Sequence, residues 1–277
     1  MYPSTTAIGK TIRMNRIFQK DGRALMVAIN HGLGMGPIQG ITDMKQLLHS
    51  LKGEPLDSLT IHKGIAAYFA DEFAGEVALI LKETNITQFY GPEEVPVASV
   101  DEAVCAGADA IALGLSLCSG QEEKVVSTIA KYIECANMVG MPVVTHSYPN
   151  GDLIAREEQY SVKQVGYATR MALELGVDII KTFWTGDQKS FEQIVKIGTP
   201  AKVVISGGPR CDTLRACFEM TYQGIQAGAS GVTYGRNIWQ HEFPVAVVRG
   251  LSAIIHNHAT VEQALEEASE CAGTKLV

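Results

Sequence analysis

Apolar residues fall into short runs along this chain, and longer stretches with apolar positions at helical spacing separate those runs. The runs are ALMVAIN (24–30), DSLTIH (57–62), EVALIL (76–81), DAIALGL (109–115), PVVTHS (142–147), VDIIKTF (177–183), KVVISG (202–207) and SGVTYG (230–235). Most are continuous rather than alternating, the pattern of strands covered by helices on one side and by a packed interior on the other. The intervening segments read as amphipathic helices. In 121–140 the apolar positions Val125, Ile129, Ile133 and Ala136 recur at steps of three and four, and 161–176 and 213–228 end at glycines. The phrases AGAD, LGVD and AGAS repeat one construction, in which a helix stops at glycine and turns tightly into a parallel strand.

Parallel strands need crossover helices, so this succession predicts a single-domain α/β protein, a closed (β/α)8 TIM barrel. An N-terminal extension (about 1–22) precedes it and a capping helix (about 259–277) follows. An open doubly wound sheet would need a Gly-rich phosphate fingerprint after the first strand. NHGLGMGPIQG (30–40) does not supply one, because Pro37 and Gly40 interrupt the run into a helix.

Composition narrows the classes. With 277 residues, 46% hydrophobic and 19% charged, the chain can fill a sizeable core. A net charge of −7 argues against a general binder of nucleic acid or anionic membrane, while leaving room for a local phosphate pocket. The six cysteines are scattered without a C-x-x-C pair, which fits free thiols in a reducing compartment. No signal-peptide pattern opens the chain and no apolar run reaches membrane-span length, so the expectation is a soluble cytoplasmic protein.

Barrel chemistry sits at the carboxyl ends of the strands. Those positions hold Asn30 and His31, His62 and Lys63, Lys82 and Glu83, Ser116, His146 and Tyr148, Lys181 and Thr182, Ser206 to Gly208, and Gly235 with Arg236. His31, His62 and His146 could converge on a zinc ion, but no carboxylate or cysteine stands with them. Lys181 lies between Ile179–Ile180 and Phe183–Trp184. Apolar surroundings disfavour its ammonium form, which leaves a nucleophile suited to imine formation with a carbonyl; an ion-paired or rim-seeking lysine is the other reading. ISGGPR and YGRNIW follow the seventh and eighth strands, where barrels commonly hold phosphate on backbone N–H groups, and Arg236 adds a guanidinium. Tyr148, in THSYPNGD, is a candidate proton shuttle whose pKa a nearby cation would lower.

Taken together, DIIKTFWTGD, ISGGP, GASGVTYGRNIWQ and SYPNG resemble the archaeal-type class I aldolases, the DhnA or DeoC/FbaB group, from about residue 20 to 270. The resemblance implies a Schiff-base enzyme on a (β/α)8 barrel, assembled as a homo-oligomer such as a decamer. It makes Lys181 the imine-forming lysine and Tyr148 the proton-transfer residue. Ser206, Gly207, Gly208, Gly235 and Arg236 would hold the phosphate of a ketose, with His31 and His146 as further substrate-binding residues, and Asn30 would be the third catalytic residue, handling hydroxyls and protons with Tyr148. Nothing in that scheme needs a metal or an organic cofactor. Within the group, transaldolase-like or heptulosonate-synthase-like transfer and autoinducer-2-phosphate-thiolase-like transfer are alternatives to aldol cleavage.

Two departures stand out. Asn30 occupies a position where the group usually has aspartate, and an amide cannot take up a proton near neutral pH. That substitution also leaves open a non-catalytic sugar-phosphate binder, although such a protein has no use for a desolvated amine. Asn150 stands where relatives often carry arginine, which points to a second substrate that is not a phosphorylated triose or is held some other way.

Overall fold

A computed structural model describes residues 4–89 and 93–277. Eight parallel strands close into a barrel in sequence order: β1 (Ala24–Ala28), β2 (Ser58–Ile61), β3 (Ala78–Lys82), β4 (Ala110–Ser116), β5 (Val143–Tyr148), β6 (Ile179–Phe183), β7 (Lys202–Ser206) and β8 (Gly231–Tyr234), with β8 pairing back to β1. This is the (β/α)8 barrel the apolar runs predict, and nearly every strand residue is buried. The helices read from the sequence are present as Glu122–Met138, Val162–Glu174 and Leu214–Gln226. Gly107, Gly176 and Gly228 have φ of 71°, 85° and 91°, the left-handed conformation that ends a helix before a strand at little cost only in glycine.

The crossover from β3 to β4 is the irregular one. It carries a small antiparallel pair, Thr84–Asn85 with Val95–Pro96, before the helix Val100–Cys105. The helices Pro244–Asn257 and Val261–Ala272 close the outer layer, the second entered through a capping box at Thr260.

The barrel interior has two layers. At the amino ends of the strands lie Ala24, Met26, Ala78, Ile80, Ala110, Ala112, Val144, Ile179 and Val204, and Ile17 and Phe18 pack onto them. The N-terminal helix Thr5–Ile17 is thus the barrel floor. Its docking has a repeated polar component. Asp57, Asp109 and Asp178 stand just ahead of β2, β4 and β6, and each accepts the backbone N–H of a residue in a neighbouring strand (Leu25, Leu79 and Val143). The other side of each carboxylate receives the N-terminal segment. Gln19 donates to Asp57 at 2.6 Å, Arg16 to Asp109 at 3.1 Å and Lys10 to Asp178 at 3.0 Å.

The two kinds of contact should separate on substitution. Phe18→Ala removes a buried ring from the floor and should destabilise by about 3–5 kcal/mol. Arg16→Met breaks an ion pair whose arginine is largely exposed and should change stability by less than about 1 kcal/mol. Denaturant melts of both variants check this; equal losses would show that charge, not packing, holds the floor.

Candidate active site

At the carboxyl ends of the strands the interior turns polar and opens into a cavity of about 300 Å3. Asn30, His31, His146, Tyr148, Lys181, Ser206, Gly207, Gly208, Gly235 and Arg236 all line it. Register explains part of the convergence. His146 pairs with Lys181, Ser116 with Tyr148 and Phe183 with Ser206 across neighbouring strands.

Lys181 points inward and is 6% exposed. Burial is the main reason its pKa is pulled down to about 7; the Lys82 charge pushes the same way, the Glu94 carboxylate opposes, and Arg236 adds to the lowering. A substantial share of the amine is therefore uncharged near neutral pH. Tyr148 donates to or accepts from Ser206 Oγ at 2.8 Å and stacks on Phe183 with ring centroids 4.3 Å apart. Here the sequence expectation needs correcting. Burial raises the phenol well above its ordinary value and outweighs the lowering by Ser206 and Arg236, so the resting tyrosine is neutral and a proton donor.

The histidines are neutral too. Burial, with Lys181, Arg236 and His62, brings His31 down to about 3, and burial with Lys181 and Lys82 holds His146 well below its ordinary value. His62 lies outside this cavity. Its Nδ1 donates to the Lys82 carbonyl at 2.9 Å, so its Nε2 is the acceptor for Asn85 at 2.7 Å. With both ring nitrogens engaged it cannot complete the histidine triad considered for zinc. Among the described residues no group of three His, Cys, Asp or Glu side chains is placed to hold a metal ion.

The glycine turns bring backbone close to the cavity. A side chain at Gly235 would meet the His31 ring at 2.6 Å and the Ala28 carbonyl at 2.7 Å. Arg236 donates through Nη2 to the Gly208 carbonyl at 2.8 Å, while Asn237 donates to the Gly207 carbonyl at 3.0 Å and accepts from the Cys211 N–H at 2.7 Å. Trp239 is a packing residue, its indole N–H donating to Ala28 and its ring edge-on to His31.

Among the described residues, five buried polar atoms around the cavity have no protein partner: Asn30 Oδ1, His31 Nδ1, His146 Nε2, Asn150 Oδ1 and Arg236 Nε. Buried polar groups are nearly always hydrogen-bonded, so orphans converging on one cavity mark a place for a polar ligand.

Sequence reasoning missed Glu94. Its carboxylate reaches into the barrel from the loop after β3, pairs with the Lys82 ammonium and accepts from Thr84 Oγ1. Lys82 is completely buried, and burial lowers its pKa while Glu94 opposes. Gly114 makes the insertion possible, because a Cβ there would collide with the Glu94 carboxylate. A glycine inside the continuous apolar run of β4 was the available signal, since strand glycines often mark a close approach.

A parallel barrel with a desolvated amine and unpartnered polar atoms at its mouth defines a class, the lysine-dependent barrel enzymes of carbonyl chemistry. Comparison with known proteins narrows it. The DeoC/LacD family aldolase model matches residues 24–241. The chain is 34% identical over 253 residues to the class 1 fructose-bisphosphate aldolase of Thermoproteus tenax, covering 89% of this chain and 94% of that one. It is 30% identical over 266 residues to the 2-amino-3,7-dideoxy-D-threo-hept-6-ulosonate synthase of Halobacterium salinarum, covering 95% and 97%. The fold superposes on an archaeal fructose 1,6-bisphosphate aldolase with a TM-score of 0.83 at 32% identity, covering 90% of this chain and 99% of that chain. It superposes also, with a TM-score of 0.82 at 31% identity and 89% and 99% coverage, on an archaeal aldolase whose catalytic lysine carries the carbinolamine intermediate of its substrate. The chain belongs to the DeoC/LacD family and is a Schiff-base-forming, class I aldolase.

Lys82 should set the titration of Lys181. Lys82→Met removes the like charge that favours the neutral amine, so the Lys181 pKa should rise from about 7. The pH dependence of Lys181 modification by an amine reagent, read by peptide mass in folded protein, checks the sign. An unchanged or lowered midpoint contradicts it.

Proposed function

We propose that this enzyme makes or cleaves a carbon–carbon bond of a phosphorylated ketose through an imine on Lys181. The observation carrying this reading is the largely desolvated amine beside a set of buried, unpartnered polar atoms in one cavity. Uncharged Lys181 attacks the ketone to give a carbinolamine. Neutral Tyr148 protonates the departing hydroxyl, and water leaves as the iminium forms. The tyrosinate, now beside a cation, takes the proton of the hydroxyl on the carbon β to the iminium, and the bond between the α and β carbons breaks, its electron pair passing to the iminium to give an aldehyde and an enamine. Protonation of the enamine and hydrolysis of the imine release the second product. Asn30, His31 and His146 are neutral partners for substrate hydroxyls, and Ser206, Gly207, Gly208, Gly235 and Arg236 hold the phosphate, with the fork of Arg236 offering its unpartnered Nε.

Similarity to the heptulosonate synthase supports a second reading, in which the enamine passes to another aldehyde instead of a proton. Product analysis with and without an added aldehyde separates the two. Assembly as a homo-oligomer and residence in the cytoplasm belong to the same proposal, and sedimentation velocity reads the first.

Borohydride reduction in the presence of dihydroxyacetone phosphate should leave one stable adduct, on Lys181, and Lys181→Met should abolish it. Tyr148→Phe should still form the adduct, more slowly, while turnover falls on the order of 10²–10⁴-fold. A wild-type protein with no adduct on Lys181 would overturn the imine mechanism.

A further inference from the structure

In an eight-stranded closed barrel, β3 and β4 lie diametrically across from β7 and β8. The cavity therefore has two chemically distinct ends. Arg236 follows β8, and the turn Gly207–Gly208 follows β7. Opposite them, Glu94 lies over Gly114 of β4 and against Thr84 just beyond β3. Lys181 on β6 and Tyr148 on β5 occupy the arc between the two ends.

The sign of charge presented at the Glu94 end is fixed by cover. Lys82 has no exposed side-chain surface, because Glu94 and Thr84 enclose its ammonium, whereas the Glu94 side chain keeps 12% exposure and lines the cavity. A molecule in the cavity thus meets the carboxylate, not the lysine behind it. Asn150, after β5, adds a buried amide oxygen without a partner. The cations lining the cavity among the described residues are Lys181 and Arg236. Lys181, on β6, lies in the arc between the two ends, which leaves Arg236 as the fixed counter-charge for a phosphate.

We propose that the ketose carries one phosphate, held at the Arg236 end, and that the aldehyde fragment at the other end is an uncharged hydroxyaldehyde whose hydroxyls donate to Glu94 and Asn150. A second phosphate would place a dianion against the Glu94 carboxylate with no free cation beside it. Hydroxyl donors fit the same place, since a carboxylate and an amide oxygen both accept. This inference rests on the ketose-phosphate reading above but not on the imine step.

Titration calorimetry on Lys181→Met, which cannot turn substrate over, compares fructose 1-phosphate with fructose 1,6-bisphosphate. The monophosphate should bind at least tenfold more tightly; equal or tighter binding of the bisphosphate overturns the proposal. Adding Lys82→Met and Glu94→Gln removes the pair as a neutral unit, and the preference should then shrink to within a few-fold. If a folded triple variant keeps the full preference, Glu94 is not its source and the proposal fails. The adduct with dihydroxyacetone phosphate reports separately. Its absence removes the imine reading, while a measured monophosphate preference stands without it.

Discussion

Lys181 is buried in a cavity without a carboxylate of its own. Glu94 is close enough to be felt, but it is spent on Lys82, and that allocation decides what Lys181 is. A lysine facing an unshared carboxylate would stay an ammonium and form an inert buried ion pair. Here the second lysine takes the carboxylate and adds its own repulsion, so burial prevails and the remaining amine titrates near neutrality. The arrangement needs three things from the fold: an inward position on β3 for Lys82, a loop that brings Glu94 over the barrel mouth, and the missing side chain of Gly114.

The same division of labour runs down the barrel axis. Small residues (Ala24, Ala78, Ala110 and Ala112) narrow the interior at the amino ends, and Ile17 and Phe18 fill what is left. The polar layer above, with Lys82, His146, Lys181 and Thr233, rests on this dry floor. Aspartates ahead of three strands bind neighbouring strands on one side and the N-terminal segment on the other, so the floor helix is tied to the strands whose far ends carry the chemistry. Above the floor, Asn30 Oδ1, His31 Nδ1, His146 Nε2, Asn150 Oδ1 and Arg236 Nε stand without a partner among the described residues.

Much of this is legible in the chain. Continuous apolar runs ending in polar residues give the strands and their order, and Lys181 is conspicuous because its neighbours are apolar on both sides. The turns ISGGPR and YGRNIW announce themselves through glycine at the places where barrels bind anions. The floor helix is harder to see, because TTAIGKTIRMNRI carries only a weak apolar stripe and buries little beyond its last residue. Glu94 was not legible from its own segment. It comes from GPEEVPV, an irregular crossover with no period to read, and its importance arises from contact with Lys82 and Gly114, residues that are separated from it in sequence. The state of Tyr148 failed for a related reason. A neighbouring cation is visible in the sequence, but the depth of burial that outweighs it is not.

That last reversal bears on the proposed reaction itself. In the resting site Tyr148 holds its proton and Lys181 gives its own up readily, the distribution that imine formation requires: a free amine to attack and a weak acid to protonate the leaving hydroxyl. Both preferences have one origin, the low-dielectric surroundings that penalise any charge. Iminium formation changes the balance, because the nitrogen that was largely uncharged for attack then carries a positive charge on which the reaction depends. A tyrosinate created in the same step is stabilised by that cation, and it can serve as the base that bond cleavage demands. Burial thus makes Tyr148 an acid before the imine exists, and the imine makes it a base afterwards. The cation effect expected from the sequence is real, but in this site it belongs to the intermediate and not to the resting enzyme.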